Sequence, residues 1–248
     1  MSYDLNQGDH PSAYPPLGSG YEPHKSGGYA EPSQQPLLLG EAMRQLPAQY
    51  FRVFTKPSAA TFAQEKGKAA WNIIWVQALI LVIITAIFRV IKILITPTHQ
   101  TTNTINTNNP LNAILAPLQA LNTMDPVSSV IVFQIWAIVG LFIGVGIYFL
   151  IAKVCGGQGT FLQHMYSTLL IQIPMSIFNG LISLITIISI NTLIFLIVGI
   201  YQIVLQVYMT MAVHRLNGGR ATLAVLIIPI VLFILTCAAV ALLISHSL

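Results

Sequence analysis

Acidic side chains are nearly missing from most of this sequence. Of seven Asp and Glu residues, six lie at or before Glu65, and only Asp125 follows. Charge of either sign is scarce: 7% of the 248 residues are charged, where an ordinary soluble domain carries about 25%. The chain therefore lacks the surface charge that keeps a protein dissolved. Cysteine is scarce too. Cys155 and Cys237 lie in or beside apolar segments; two residues make no disulfide framework, and both are expected as free thiols. No HExxH or Cys/His metal spacing occurs, so no metal, no other cofactor and no catalysis is expected. The long apolar runs contain no carboxylate, which argues against proton relays and cation pumps. Lys and Arg form no stripe, so nucleic acid is not an expected partner. The polar, Pro/Gly-rich start has no early apolar core, so the first apolar helix is expected to serve as an uncleaved insertion signal.

What is abundant is hydrocarbon, with 55% of the residues hydrophobic. They gather in five runs, residues 71–95, 127–154, 161–189, 193–213 and 222–244. Each reaches the roughly 20 apolar residues that a spanning helix needs. The expected fold is all-α: a polytopic five-helix transmembrane bundle over residues 71–248. Residues 1–45, rich in Pro, Gly, Ser, Gln and Tyr, are expected to be a disordered cytoplasmic tail, because they bury too little to offset ordering entropy. Docking of a partner on its Pro/Tyr clusters is the sharper alternative. Between the first two runs lies a polar loop, residues 96–124. Its apolar stretch 111–121 is too short to span and reads as an interfacial or re-entrant turn.

Local signals punctuate the runs. Asp125-Pro126 is an N-cap followed by proline at N1. Gly156-Gly157 suits a helix end, and Gly159 follows. Thr160 and Gln163 have the spacing of a capping box. Asn191-Thr192 reads as a tight turn between runs three and four, and Asn217-Gly218-Gly219 as a glycine stop after run four. Lys25, Arg44, Arg52, Lys56, Lys66, Lys68, Lys153, Arg215 and Arg220 fall on one side, against Arg89 and Lys92 on the other. That asymmetry predicts a cytoplasmic N-terminus and an external C-terminus. Arg89 and Lys92 are expected to snorkel outward at the far interface.

Residues 46–70 form a juxtamembrane segment with its own chemistry. Tyr50, Phe51 and Phe54 alternate with Arg52, Lys56, Lys66 and Lys68, and Pro47 and Pro57 are expected to divide it into short pieces. Aromatic rings with cations suit a membrane interface facing lipid or a partner; a packed cap on the bundle is the alternative. Inside the runs the polar residues are amides and hydroxyls. Gln172, Asn179, Gln202 and Gln206 are read as interhelical glue or as the lining of a polar cavity. Gln202, Gln206 and Thr210 share one helix face by their spacing. Pro174 and Pro229 lie mid-run, where proline kinks a helix. Gly140 and Gly144 make a GxxxG, which supports packing within the bundle or a homo-oligomer. The loop Gly156–Gly159 lacks the Lys-Ser/Thr of a P-loop. Cys155 and His164 flank it without the marks of a nucleophile–base pair, and His214 and His246 read as isolated.

Three stretches carry a family resemblance. They are Leu46-Pro-Ala-Gln-Tyr50-Phe-Arg-Val-Phe-Thr-Lys56-Pro57-Ser58 with Phe62, Glu65 and Trp71; Gly156-Gly157-Gln-Gly159-Thr160-Phe161 with Pro174; and the Gly218-Gly219 turn. Together they resemble the Yip-domain family of Ypt/Rab-interacting membrane proteins, especially its bacterial branch. The resemblance implies a five-helix bundle with a cytoplasmic N-terminus, in a bacterial plasma membrane rather than the Golgi or endoplasmic reticulum. It implies a scaffold or adaptor whose partners are membrane lipids and a protein at the cytoplasmic face. A small-solute transporter or channel using the Gln-lined face is the second expectation.

Overall fold

The computed structural model describes residues 39–95, 125–185 and 188–247. Of the expected tail, residues 1–38 lie outside the described residues, as does the loop 96–124 with its short apolar stretch; residues 39–45 are not tail but the first turns of a helix that runs to Thr55. Every regular element among those described is helical: α1 (Leu39–Thr55), α2 (Ala59–Glu65), a 3₁₀ turn (Lys66–Lys68), α3 (Trp71–Ile95), α4 (Pro126–Val154), α5 (Phe161–Ser183), α6 (Ile188–His214) and α7 (Gly218–Ser247). Five of these, α3 to α7, are long and apolar enough to cross a membrane. The chain is an all-α, multi-pass membrane protein.

α5 is the central helix. It is 61% buried over its most apolar window, while each of the other four spans buries at most 17%. Its neighbours α3, α6, α1 and α4 pack around it, leaving Ile177, Phe178 and Leu181 exposed toward the far end; that burial explains why it tolerates a lower hydropathy than the rest. The outer helices show Ile, Leu, Val, Phe and Trp to their surroundings along their length, among them Leu79, Ile83, Trp136, Ile143, Leu196 and Phe233. A surface of that kind is stable only against lipid. We call the end carrying the α4–α5 and α6–α7 turns the cap end, because α1 and α2 sit there, and the opposite end the far end.

The capping signals hold where they are local. Asp125 Oδ2 accepts from the Ser128 N–H at 2.9 Å with Pro126 at N1. Thr160 and Gln163 close a reciprocal capping box at the head of α5. Gly156 takes φ +91° after α4, the left-handed conformation that favours glycine.

Elsewhere the expected boundaries move. Pro47 does not break the chain but lies inside α1. It sits on the exposed face beside Met43, so the missing backbone hydrogen bond falls away from the packed side. Pro57 does divide the segment, falling between α1 and α2 one residue before the N-cap Ser58. α5 stops at Ser183, earlier than its apolar run suggests, and Asn191-Thr192 is not a turn but part of the first turns of α6. The Asn191 amide reaches back to donate to the Ile185 carbonyl at 3.1 Å, so it closes the turn from the following helix. Gly218 and Gly219 do not end α6. Arg215 does so at φ +55°, while Asn217 caps α7 by accepting from the Arg220 N–H at 2.9 Å.

Candidate functional site

α1 is amphipathic. Ala42, Leu46, Gln49 and Val53 are buried at spacings of four, three and four, one stripe of a 3.6-residue period. That stripe packs on α5. The Tyr166 hydroxyl donates to Gln49 Oε1 at 2.7 Å in a buried bond. Further along, the Phe54 ring stacks on Phe178 with centroids 4.7 Å apart, and the Tyr201 hydroxyl donates to the Phe54 carbonyl. Tyr201 lies 13 residues before the end of α6, or about 20 Å at ~1.5 Å per residue. The hairpin tip therefore reaches about halfway along α6.

The chain then turns through Lys56 to Ser58 and comes back as α2. Ser58 caps α2 on the Thr61 N–H, and the Thr61 hydroxyl donates to the Lys56 carbonyl at 2.8 Å. Phe62 is fully buried. At the end of α2 the Glu65 carboxylate, also fully buried, accepts from Arg52 Nη1 at 2.9 Å and from Lys68 Nζ at 2.7 Å. Lys66 Nζ donates to the Ala212 carbonyl of α6 at 3.0 Å. A buried charge needs partners, and this one ties α1, α2 and the 3₁₀ turn together.

The aromatic and basic residues of this segment thus divide into two groups. Arg52, Lys66 and Lys68 are engaged inward. Phe54 and Tyr50 are half-buried. Burial pushes the Tyr50 hydroxyl up to about 12. Phe51, 70% exposed, and Lys56 face outward, as do Met43 and Arg44 on the same helix.

The Gly156–Gly159 loop packs under the end of α6. The Gly157 N–H donates to the Ala152 carbonyl, and the Gln158 N–H to the His214 carbonyl. A Cβ on Gly157 would lie 2.6 Å from His214 Nδ1, and one on Gly159 2.6 Å from the Val213 carbonyl; close approach is why glycine is required at both. His214 is not isolated: its Nε2 meets His164 Nδ1 at 2.9 Å, both rings buried, with Phe149 against them. His164 turns its Nδ1 toward this partner, and Cys155 is a free thiol. One ring must donate and the other accept. Among the described residues, no three His, Cys, Asp or Glu side chains gather as metal ligands would.

Two cavities among the described residues bring the polar side chains together. The larger, about 490 Å³, lies between α3, α4 and α5 and opens at the far end. Gln172 and Asn179 line it, together with Thr85, Ser176, Arg89 and Lys92. The smaller, about 140 Å³, lies deeper toward the cap end and is lined by Gln172, Gln206, Thr210, Tyr148 and His164. Gln172 belongs to both, whereas Gln202 lines neither. The polar face of α6 is thereby split. The Thr85 hydroxyl donates to Gln134 Oε1 at 3.0 Å, a side-chain bond across α3 and α4. The Arg89 guanidinium lies against α4, its carbon 4.3 Å from the Phe133 ring centroid.

The model of the Yip1 domain matches residues 51–240, which takes in the last five residues of α1, all of α2 and the five spans. The chain belongs to the Yip1 domain family. No curated protein and no solved structure matches it. The Yip1 domain begins at Phe51, so the residues that dock the hairpin tip and form the Glu65 cluster lie inside it.

Sequence reasoning missed three features of this Yip1 domain. The His164–His214 pair joins residues 50 positions apart, with no local signal. The Glu65 cluster carried one: Glu65 is the last acid before a region almost without acids, and it sits among basic residues. Arg89 carried another, as a cation inside an apolar run.

Proposed function

We propose that this Yip1-domain protein is a non-catalytic membrane scaffold whose α1–α2 hairpin presents a fixed aromatic and basic surface to lipid headgroups and to a protein partner. One observation carries the reading. The inward stripe and the Glu65 cluster hold α1 rigidly on the bundle, yet Phe51 stays 70% exposed with Arg44 and Lys56 outward. A large exposed ring among cations suits the interfacial zone, where each cation near an anionic surface contributes about 1 kcal/mol.

The cap end faces the cytoplasm of a bacterial cell in this reading, because Arg44, Lys66, Lys68, Lys153, Arg215 and Arg220 lie toward that end, with Arg52 and Lys56 on the hairpin that rises from it, against Arg89 and Lys92 at the other. A reporter fused after Leu248 then reads as external; a cytoplasmic signal overturns the orientation. The surface itself is tested by a nitroxide on Phe51→Cys in a Cys155→Ser/Cys237→Ser background, reconstituted in bilayers. Power saturation should place the label at headgroup depth in anionic bilayers, and Arg44→Gln with Lys56→Gln should shift it toward water. A label in bulk water in every bilayer refutes the proposal.

The second reading, a small-solute carrier, is favoured by Gln172, which lines both cavities. Solute flux into liposomes that is abolished by Gln172→Leu would establish it in place of the scaffold.

A further inference from the structure

The far-end cavity holds two cations and no anion. Arg89 and Lys92 line it, yet the only acid in the sequence after Glu65 is Asp125, which is fully exposed and occupied as the cap of α4. Among the described residues, neither cation is paired with a carboxylate. Arg89 Nε is buried without a hydrogen-bond partner. Its guanidinium carbon lies 4.3 Å from the Phe133 ring centroid, a contact that leaves the donor fork free for another group. A cation inside a membrane bundle is costly unless an anion compensates it, and among the described residues no carboxylate does so.

The cavity is also chemically graded along its length. At the far end Arg89 and Lys92 are joined by Asn179 and Ser183. Toward the middle of the bundle the walls become mostly apolar, with Ala78, Leu81, Ile138 and Leu141 around the uncharged Thr85, Gln172 and Ser176. From Lys92 to Ala78 is 14 residues of α3, about 21 Å at ~1.5 Å per residue. The volume of about 490 Å³ falls within the roughly 300–1,000 Å³ of small-molecule sites. A free inorganic anion would use only the mouth and leave the apolar floor empty.

We propose that this slot binds an anionic amphiphile, its phosphate or carboxylate head on Arg89 and Lys92 and its hydrocarbon chain along the apolar floor. Arg89 supplies the bidentate fork and Lys92 the second, mobile charge. Asn179 and Ser183 offer further hydrogen bonds to the head. The site lies at the opposite end from the Phe51 surface and does not depend on the scaffold reading.

The test uses the full-length protein in neutral detergent, with bound ligand counted by native mass spectrometry. The probes are a phosphatidylglycerol, a phosphatidylcholine with the same chains, palmitate and inorganic phosphate. Phosphatidylglycerol or palmitate should bind at least tenfold more tightly than phosphatidylcholine; which of the two binds tells a bilayer phospholipid from a free fatty acid. Arg89→Gln with Lys92→Gln should bring that preference within twofold of unity. Lys153→Gln, a loss of charge at the other end, should leave it intact. Equal binding of the two phospholipids, or a preference that survives the double variant, overturns the proposal. So does inorganic phosphate binding as tightly as the amphiphiles, since the apolar floor then plays no part. Should the double variant aggregate, Ala137→Phe decides. Ala137 lines the slot, and a ring there should cut amphiphile binding at least tenfold; unchanged affinity overturns the proposal.

Discussion

Replacing Glu65 with Ala should release the α1–α2 hairpin while leaving the five spans folded. The carboxylate is fully buried and holds Arg52 at 2.9 Å and Lys68 at 2.7 Å. Removing one partner of a buried ion pair costs about 3–5 kcal/mol. Arg52 is 49% exposed in its side chain, so its half of the cluster behaves as a surface pair worth about 0–1 kcal/mol. Lys68, 14% exposed, is the costlier cation to strand. We therefore expect the lower end of the range, about 3 kcal/mol, for Glu65→Ala. At ~1.4 kcal/mol per factor of ten, that is roughly a hundredfold increase in opening of the hairpin. Arg52→Ala should cost no more than about 1 kcal/mol, and Lys68→Ala about 1.5–3 kcal/mol, the range for a hydrogen bond to a charged group. Hydrogen exchange followed by mass spectrometry in detergent reads this region by region. Protection should fall in residues 39–68 and stay unchanged in α3 to α7. Unchanged protection of 39–68, or equal loss throughout the bundle, would refute the assignment of Glu65 as the tie of the hairpin.

Glycine substitutions should separate packing from spare room. Gly157→Ala should cost about 1–3 kcal/mol by overpacking against His214, whereas Gly144→Ala, whose Cβ meets nothing within 4 Å, should gain about 0.5–1 kcal/mol; thermal unfolding in detergent compares the two. Gln49→Leu strands the Tyr166 hydroxyl and should lower the Tm, at a cost of about 1–3 kcal/mol. At the head of α4, hydrogen bonds from Ser128, side chain first and backbone second, hold the Asp125 carboxyl below the usual aspartate range. Its cap is therefore complete above the ordinary aspartate pKa and is lost as the pH falls through the lowered folded-state value. Exchange at Ser128 should rise on acidification in the parent and become insensitive to pH in Asp125→Asn, which keeps the cap.

The bundle was legible because its signals are short-range. Trp71–Ile95 and Val127–Val154 stand where the apolar runs put them, and the Asp125 and Thr160 caps need only three residues each to form. Boundaries failed where a distant or competing group decided them. Ser183 ends α5 well inside an apolar run, and Asn191 closes that turn from within α6. Arg215 takes the left-handed position that two nearby glycines advertised. The cap stood in the sequence only as the alternative to an interfacial segment, for a related reason. Pro47 marks a break on any propensity scale, but the stripe Ala42, Leu46, Gln49 and Val53 packs against α5, and tertiary burial outweighs one missing bond. The polar residues were recognisable as a set. Their division between two cavities, with Gln202 in neither, depends on how three helices are rotated, which no single run encodes.

The hairpin also sets a timetable for biogenesis. Its docking bonds join Tyr166 to Gln49, Tyr201 to Phe54 and Lys66 to Ala212, across 117, 147 and 146 positions. At the ~5–20 residues per second of protein synthesis, the groove between α5 and α6 is completed roughly 7–30 s after the hairpin has been made. Throughout that interval the ribosome has already released an amphipathic helix with its greasy stripe unsheltered. A membrane surface or a chaperone must shield it until the last of its seat emerges.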